Sequence, residues 1–289
     1  MEKSILLTGA SGGFGRLLVT ELHARGHRVL AALRGGEVRG AALFPDLADS
    51  PRLKFADVDL RDPASIQHLV EKTKLHFGRQ LDVLINNAGA AVLGPVEHQS
   101  LTDVRNQFDL NFFGPLALLQ GLLPVLRSSR GRILNVTSLT AYTTFPFYGT
   151  YGASKHALDA LTEALFYDLA ESGVQVCAVE PGAYRTGFSR AALRPPLKED
   201  VPASDKKRVR AFEDFLKTFR ENSEKDPRAV SRRMADLCEA RRIPLRVRIG
   251  GDAHLHWFLR KWVPDGWWVK AVEWYFRRKV FRSGNGPDR

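Results

Sequence analysis

Tyr151 and Lys155 lie four residues apart in "YGASK". That spacing places two side chains on one face of a helix. A phenol with a pKa of ~10 exchanges protons poorly at neutral pH, and a neighbouring ammonium favours its ionised form. The pair therefore makes a tuned proton donor and acceptor. Tyr148 precedes Gly149 and Gly152 and should lie outside the regular helix. A second constellation, "TGASGGFG", carries Gly9, Gly13 and Gly15 near the amino terminus. Glycines at a strand-to-helix turn let the backbone approach a pyrophosphate, whose charge settles at the helix N-terminus. Their spacing is GxxxGxG rather than the GxGxxG of the dinucleotide fingerprint. In "RVLAALRGG", the position where an acid would hold a ribose 2′-hydroxyl is Leu33, followed by Arg34. An arginine there accepts a 2′-phosphate. NADP(H) is thus favoured, with NAD(H) as the alternative, and Glu37 works against the preference.

These residues need elements to hold them. Apolar runs at 4–10, 28–33, 53–58, 81–89, 131–138, 173–182 and 244–251 read as buried strands, the last at a sheet edge. Most are continuously apolar rather than alternating, as in parallel strands covered on both faces. Helical spacing separates them, through Phe14, Leu17, Leu18 and Leu22 early and through Leu158, Leu161, Leu165 and Leu169 later. The pattern predicts a doubly wound α/β fold, Rossmann-like, with a parallel sheet of about seven strands. After Gly182, "YRTGFSRAALRPPLKEDVPASDKK" has three prolines and no clear period, which predicts a loop or lid. Helices are expected around 209–221 and 228–240. The expected organisation is one domain over residues 1–253, with a substrate loop at 183–225, and an aromatic and basic extension at 254–289.

The two cysteines, Cys177 and Cys238, form no CxxC pair and have no histidine cluster beside them, so no metal site is expected. This cysteine usage suits a reducing, cytoplasmic setting. The net charge of +11 favours an anionic partner, but no nucleic-acid motif is present and nucleic acid is not expected. No run of eighteen apolar residues suggests a membrane-spanning helix.

In chain order, TGxxxGxG from Thr8, "NNAG" from Asn86, Asn111, Ser138, "YGASK" and the Pro181-Gly182 pair resemble the short-chain dehydrogenase/reductase family over roughly residues 4–250. "VEPGAYRTGF" and the leucine-arginine end of the second strand are similar to the branch containing 17β-hydroxysteroid and retinol dehydrogenases. The resemblance implies that Tyr151 gives a proton to a ketone or takes one from an alcohol. Lys155 would lower the Tyr151 pKa and bind the nicotinamide ribose, Ser138 would hold the substrate oxygen, and Asn111 would support a proton relay through water to Lys155. It implies cofactor contacts from Gly9, Ser11, Gly13, Phe14 and Gly15, from Arg34, and from Asp59 and Leu60 at the adenine. Asn87, Ala88 and Gly89 would serve the adenosine side, and Pro181, Gly182 and Thr186 the nicotinamide end. A homodimer or homotetramer built on helices at 109–126 and 151–171 is also implied.

Bulky residues beside these positions (Val92, Leu93, Leu139, Phe145, Phe147, Tyr148 and Phe188) predict an apolar pocket for a lipophilic ketone, aldehyde or alcohol such as a steroid or retinoid. The rival reading is a catalytically silent dinucleotide sensor or scaffold. All five tryptophans fall within residues 257–274, interleaved with Arg260, Lys261 and Lys270. This suits either a peripheral membrane contact through 254–282 or an element packed over the cleft or against another subunit.

Overall fold

The computed structural model describes residues 1–78, 80–197, 201–222 and 225–281, the side chains of 219–222 excepted. The remaining parts of the expected substrate loop and C-terminal extension, including 282–289, lie outside the described residues.

Strands β1 (Ser4–Thr8), β2 (Arg28–Leu33), β3 (Leu53–Asp57), β4 (Val83–Asn86), β5 (Arg132–Val136), β6 (Gln175–Pro181) and β7 (Arg246–Ile249) form one parallel sheet in the order β3-β2-β1-β4-β5-β6-β7. Alternate residues leave each strand on opposite faces. Ile5, Leu7, Val29 and Ile85 enter one core, while Leu6, Leu30 and Leu84 enter the other. Both cores exclude water, so the strands read as unbroken apolar runs.

The early helices are α1 (Gly13–Ala24), α2 (Gly36–Leu43), α3 (Pro63–Phe77), α4 (Leu101–Phe108) and α5 (Gly114–Ser129). They are followed by α6 (Gly149–Asp168), α7 (Phe188–Ala191), α8 (Ala203–Asn222) and α9 (Arg228–Glu239). The first core is closed by Leu18 and Leu22 of α1 with Val230 and Met234 of α9; the second by α3, α5 and α6 through Leu69, Leu118, Leu122 and Leu165. A π-helical turn, Asp109–Phe113, joins α4 to α5. The continuous helix from Leu101 to Ser129 has a mean hydropathy of 1.3 over its most apolar window, enough by length and composition to cross a membrane. Its Leu118, Leu119, Leu122 and Leu126 are buried in the core, and 39% of that window is buried in the fold.

The segment after Gly182 is more ordered than its sequence suggests. It holds α7 and a parallel bridge between Leu193 and Val92, and α8 begins at Ala203. "ASDKKRVR" carries too few apolar residues to show a period, although Pro202 supplies a carbonyl that accepts from the amides of Asp205 and Lys206 at 2.9 and 3.1 Å. The C-terminal region forms α10 (Gly251–Trp262) and α11 (Asp265–Tyr275), then a π turn, Phe276–Val280.

Candidate active site

The chain reverses its direction of sheet growth between β1 and β4, which are hydrogen-bonded neighbours. Their carboxyl ends part there and leave a crevice, the place where open α/β sheets bind ligands. A cleft of about 960 Å³ starts at this point and continues to the C-terminal helices.

The glycine loop floors it. Gly9 has φ +70°, and a Cβ on it would come within 2.7 Å of the Ala88 backbone. Asn87 ties the loop to β4, its Nδ2 donating to the carbonyls of Thr8 and Gly9 at 3.0 and 3.2 Å. Gly12 stands at the N-cap of α1 without any side-chain cap, leaving the first-turn amides to an anion. Gly9, Ser11, Gly13 and Phe14 line the cleft, as does Gly12, which lies outside the GxxxGxG positions. Gly15 does not line it. A Cβ there would overlap the carbonyl oxygen of Gly9, so this glycine lets α1 close on the loop.

At the far end Arg34, Asp59, Leu60 and Arg61 line the wall. Arg61 Nε donates to Asp59 Oδ1 at 2.9 Å, and this bond, opposed by partial burial, holds the Asp59 carboxyl down at about 2. Among the charged residues lining this end, two arginines face one carboxylate. Arg61 was missed in the sequence; its position two residues after Asp59 is the only signal.

In the middle, Asn87, Ala88, Gly89, Ser138, Tyr151, Lys155, Pro181, Gly182 and Thr186 all line the cleft. Tyr151 is 6% and Lys155 3% exposed, one helical turn apart on α6. Tyr148 is the N-cap of that helix. Burial pushes the Tyr151 phenol above its ordinary range, while a hydrogen bond with Ser138 works the other way. Burial also lowers Lys155, to about 8. The phenol therefore lies above its ordinary range rather than below it, against the lowering expected from the lysine. Desolvation dominates, Lys155 Nζ donates to the Val136 carbonyl at 2.8 Å, and a lysine with this pKa carries only part of its charge at pH 8.

Asn111 lies behind the wall rather than in it. The π turn directs it inward, where its Oδ1 accepts from the Ala90 amide and its Nδ2 donates to Ala90 O and Ser154 Oγ, each at 2.9 Å. Its oxygen and Lys155 Nζ lie 3.2 and 3.3 Å from the place where a Cβ on Gly89 would sit. Asn111 thus positions the turn that separates it from the lysine. Asn111→Ala should leave the Ala90 carbonyl and amide without this partner and cost about 1–3 kcal/mol, read as a lowered urea midpoint.

The other end is apolar. Leu139, Phe145, Tyr148 and Phe188 line it as expected, with Val92 and Leu93. Phe188 and Tyr148 stand 5.5 and 6.3 Å from the Tyr151 ring. Phe147 is outside the lining; its backbone is left-handed (φ +68°) and its ring packs on Phe212 at 5.0 Å. Phe215, Leu216, His256, Trp268, Val272 and Phe276 complete the walls. Nothing in the sequence singles these residues out for the pocket, and of the placements expected for the tryptophan-rich segment, packing over the cleft is the one seen. His256 places its ring 5.2 Å from Phe145, and its Nδ1 is buried without a hydrogen-bond partner among the described residues. Among the described residues no group of His, Cys, Asp and Glu could hold a metal ion.

A doubly wound parallel sheet with an uncapped glycine loop at its switch point defines a nucleotide-binding α/β protein. The chain belongs to the short-chain dehydrogenase family, whose model matches residues 3–195, and it is an oxidoreductase acting on CH–OH or carbonyl groups. It is 31% identical to an uncharacterised oxidoreductase, YusZ, of Bacillus subtilis, over 97% of this chain and 99% of that one. It is 39% identical to 11-beta-hydroxysteroid dehydrogenase type 2 of Oryctolagus cuniculus, over 64% of this chain and 46% of the relative. A short-chain dehydrogenase from Streptomyces avermitilis superposes with a TM-score of 0.78 at 29% identity, covering 99% of this chain and 100% of the other.

Proposed function

We propose that the protein is an NADP(H)-dependent oxidoreductase that interconverts a lipophilic ketone or aldehyde and its alcohol. The observation that carries this reading is one continuous cleft, leading from a pair of arginines over a glycine loop to Tyr151, Ser138 and Lys155 and on into aromatic walls. The bound nicotinamide cofactor supplies or accepts the hydride.

The residues of the chain do the rest. The first-turn amides of α1, with Gly9, Ser11, Gly13 and Phe14, hold the pyrophosphate. Asp59 and Leu60 flank the adenine, and Arg34 with Arg61 receives the 2′-phosphate. Asn87, Ala88 and Gly89 back the adenosine side, while Pro181, Gly182 and Thr186 shape the nicotinamide end. Lys155, set against the Val136 carbonyl, holds the nicotinamide ribose. Ser138 Oγ binds the substrate oxygen. In reduction the Tyr151 hydroxyl gives its proton to the substrate oxygen and is left as the phenolate; in oxidation the phenolate takes the proton back from the alcohol. A buried tyrosine that stays protonated at neutral pH is well matched to the reductive direction.

The steroid-named relative and the aromatic walls support a lipophilic substrate such as a steroid or retinoid. A homodimer or homotetramer on the helices at 109–126 and 151–171 is supported by the exposed Phe113, Phe166 and Tyr167. Two buried free cysteines suit a reducing, cytoplasmic setting.

A panel of steroids, retinoids and aliphatic or aryl ketones, followed by NADPH absorbance, tests the activity; no turnover of any member defeats it. Arg34→Ala should cut the NADPH:NADH ratio of kcat/KM by about tenfold or more, as expected for a charge-assisted hydrogen bond. An unchanged ratio would take Arg34 out of the 2′-phosphate site, and a marked preference of the unaltered protein for NADH would reassign the cofactor to NAD(H).

A further inference from the structure

The C-terminal helices cover the substrate end of the cleft with one face and turn the other outward. Trp268, Val272 and Phe276 of α11 and its π turn face the cleft walls, with Val280 buried one turn on. The outward residues are unusual. Trp262 is 65%, Trp267 75% and Trp274 55% exposed, and Leu255, Phe258, Val269 and Tyr275, the last also at the rim of the cleft, are exposed beside them. Single exposed apolar residues are ordinary, whereas seven on two consecutive helices mark a contact surface.

Charge narrows the kind of contact. Residues 254–281 carry six lysines and arginines against two acids, Asp265 and Glu273. Both acids are paired within the helices, with Arg260 and Arg277. Lys261 Nζ stands 5.3 Å from the Trp262 ring, and the Arg278 guanidinium 5.6 Å from the Trp274 ring. A protein interface is depleted of lysine at its centre, and a two-fold contact through this face would set like charges against each other. An anionic lipid surface meets both features at once: indoles settle at the headgroup boundary, and cations meet phosphate and carboxylate.

We propose that α10 and α11 seat the protein on an anionic phospholipid surface, and that its substrate enters the cleft from the bilayer beneath α11. The seating stands on the surface alone. The entry route rests on the proposed oxidoreductase reading, because the helix that meets lipid outside also lines the substrate end inside.

The full chain should float with vesicles of phosphatidylcholine containing phosphatidylserine, not with phosphatidylcholine alone, and should be released by salt. Trp262→Ala/Trp267→Ala/Trp274→Ala should weaken partitioning by about tenfold or more, and Lys270→Glu/Arg278→Glu should abolish the preference for anionic lipid. Failure of the unaltered protein to float overturns the seating. So does a dimer that the tryptophan variant splits in sedimentation while flotation stays unchanged, since a second copy is then the occupant. For the entry route, the tryptophan variant should lose turnover of a vesicle-dissolved ketone and keep that of a water-soluble one; equal loss of both overturns it. If the unaltered protein turns over neither ketone, the oxidoreductase reading and the entry route fall together, while flotation still decides the seating.

Discussion

Tyr151→Phe should lower kcat by about 100- to 10,000-fold in either direction, the usual contribution of a positioned acid or base. The substitution removes one hydroxyl from a ring set 5.5 Å from Phe188 and 6.3 Å from Tyr148, a setting that accepts phenylalanine. Ser138 Oγ keeps its bond from the Thr140 amide at 3.1 Å. Folding and cofactor affinity should therefore hold within about twofold, checked by melting and by quenching of protein fluorescence with NADPH. The pH profile adds a second reading. With the phenol raised by burial and Lys155 lowered to about 8, kcat/KM for reduction should be level from pH 6 to 7 and fall as pH rises through about 8, where the lysine loses its charge. More than about a tenth of the activity surviving in the phenylalanine variant would move the acid to Tyr148 or another hydroxyl.

Gly15→Ala should be the most damaging single methyl in the cofactor half. On an exposed helix this change stabilises by up to about 1 kcal/mol. Here the new Cβ overlaps the Gly9 carbonyl, and the clash has no flexible side chain to absorb it. Gly9 is fixed at φ +70°, and Asn87 holds its carbonyl. Overpacking of this kind costs about 1–3 kcal/mol. The expected result is a lower melting temperature together with NADPH affinity weakened by about 5- to 150-fold. Wild-type melting and wild-type affinity together would refute the close approach of α1 to the loop.

The parts legible in the sequence were those whose chemistry is local. The glycine loop sits within eight residues and Tyr151 with Lys155 within five, so type and spacing alone place them. Strands were legible because both faces are buried. Asn111 carried no signal of its own; only family resemblance marked it, and the π turn that aims it has no sequence period. Arg61 looked like one surface charge among many until the fold brought it, with Asp59, to the end of the cleft that Arg34 lines. The substrate end was largely illegible for a different reason: Phe215, His256 and Trp268 come from three helices and meet only when the chain returns to α6. Aromatic residues at helical spacing do not say what they will touch.

The division of the cleft between early and late segments has a consequence for how the protein can diverge. The cofactor end is assembled almost wholly before Gly187, on a sheet whose strands constrain one another in register. Much of the substrate end is supplied after it, by residues of α7, α8, α10 and α11. Drift in α8, α10 and α11 changes appetite without disturbing the engine.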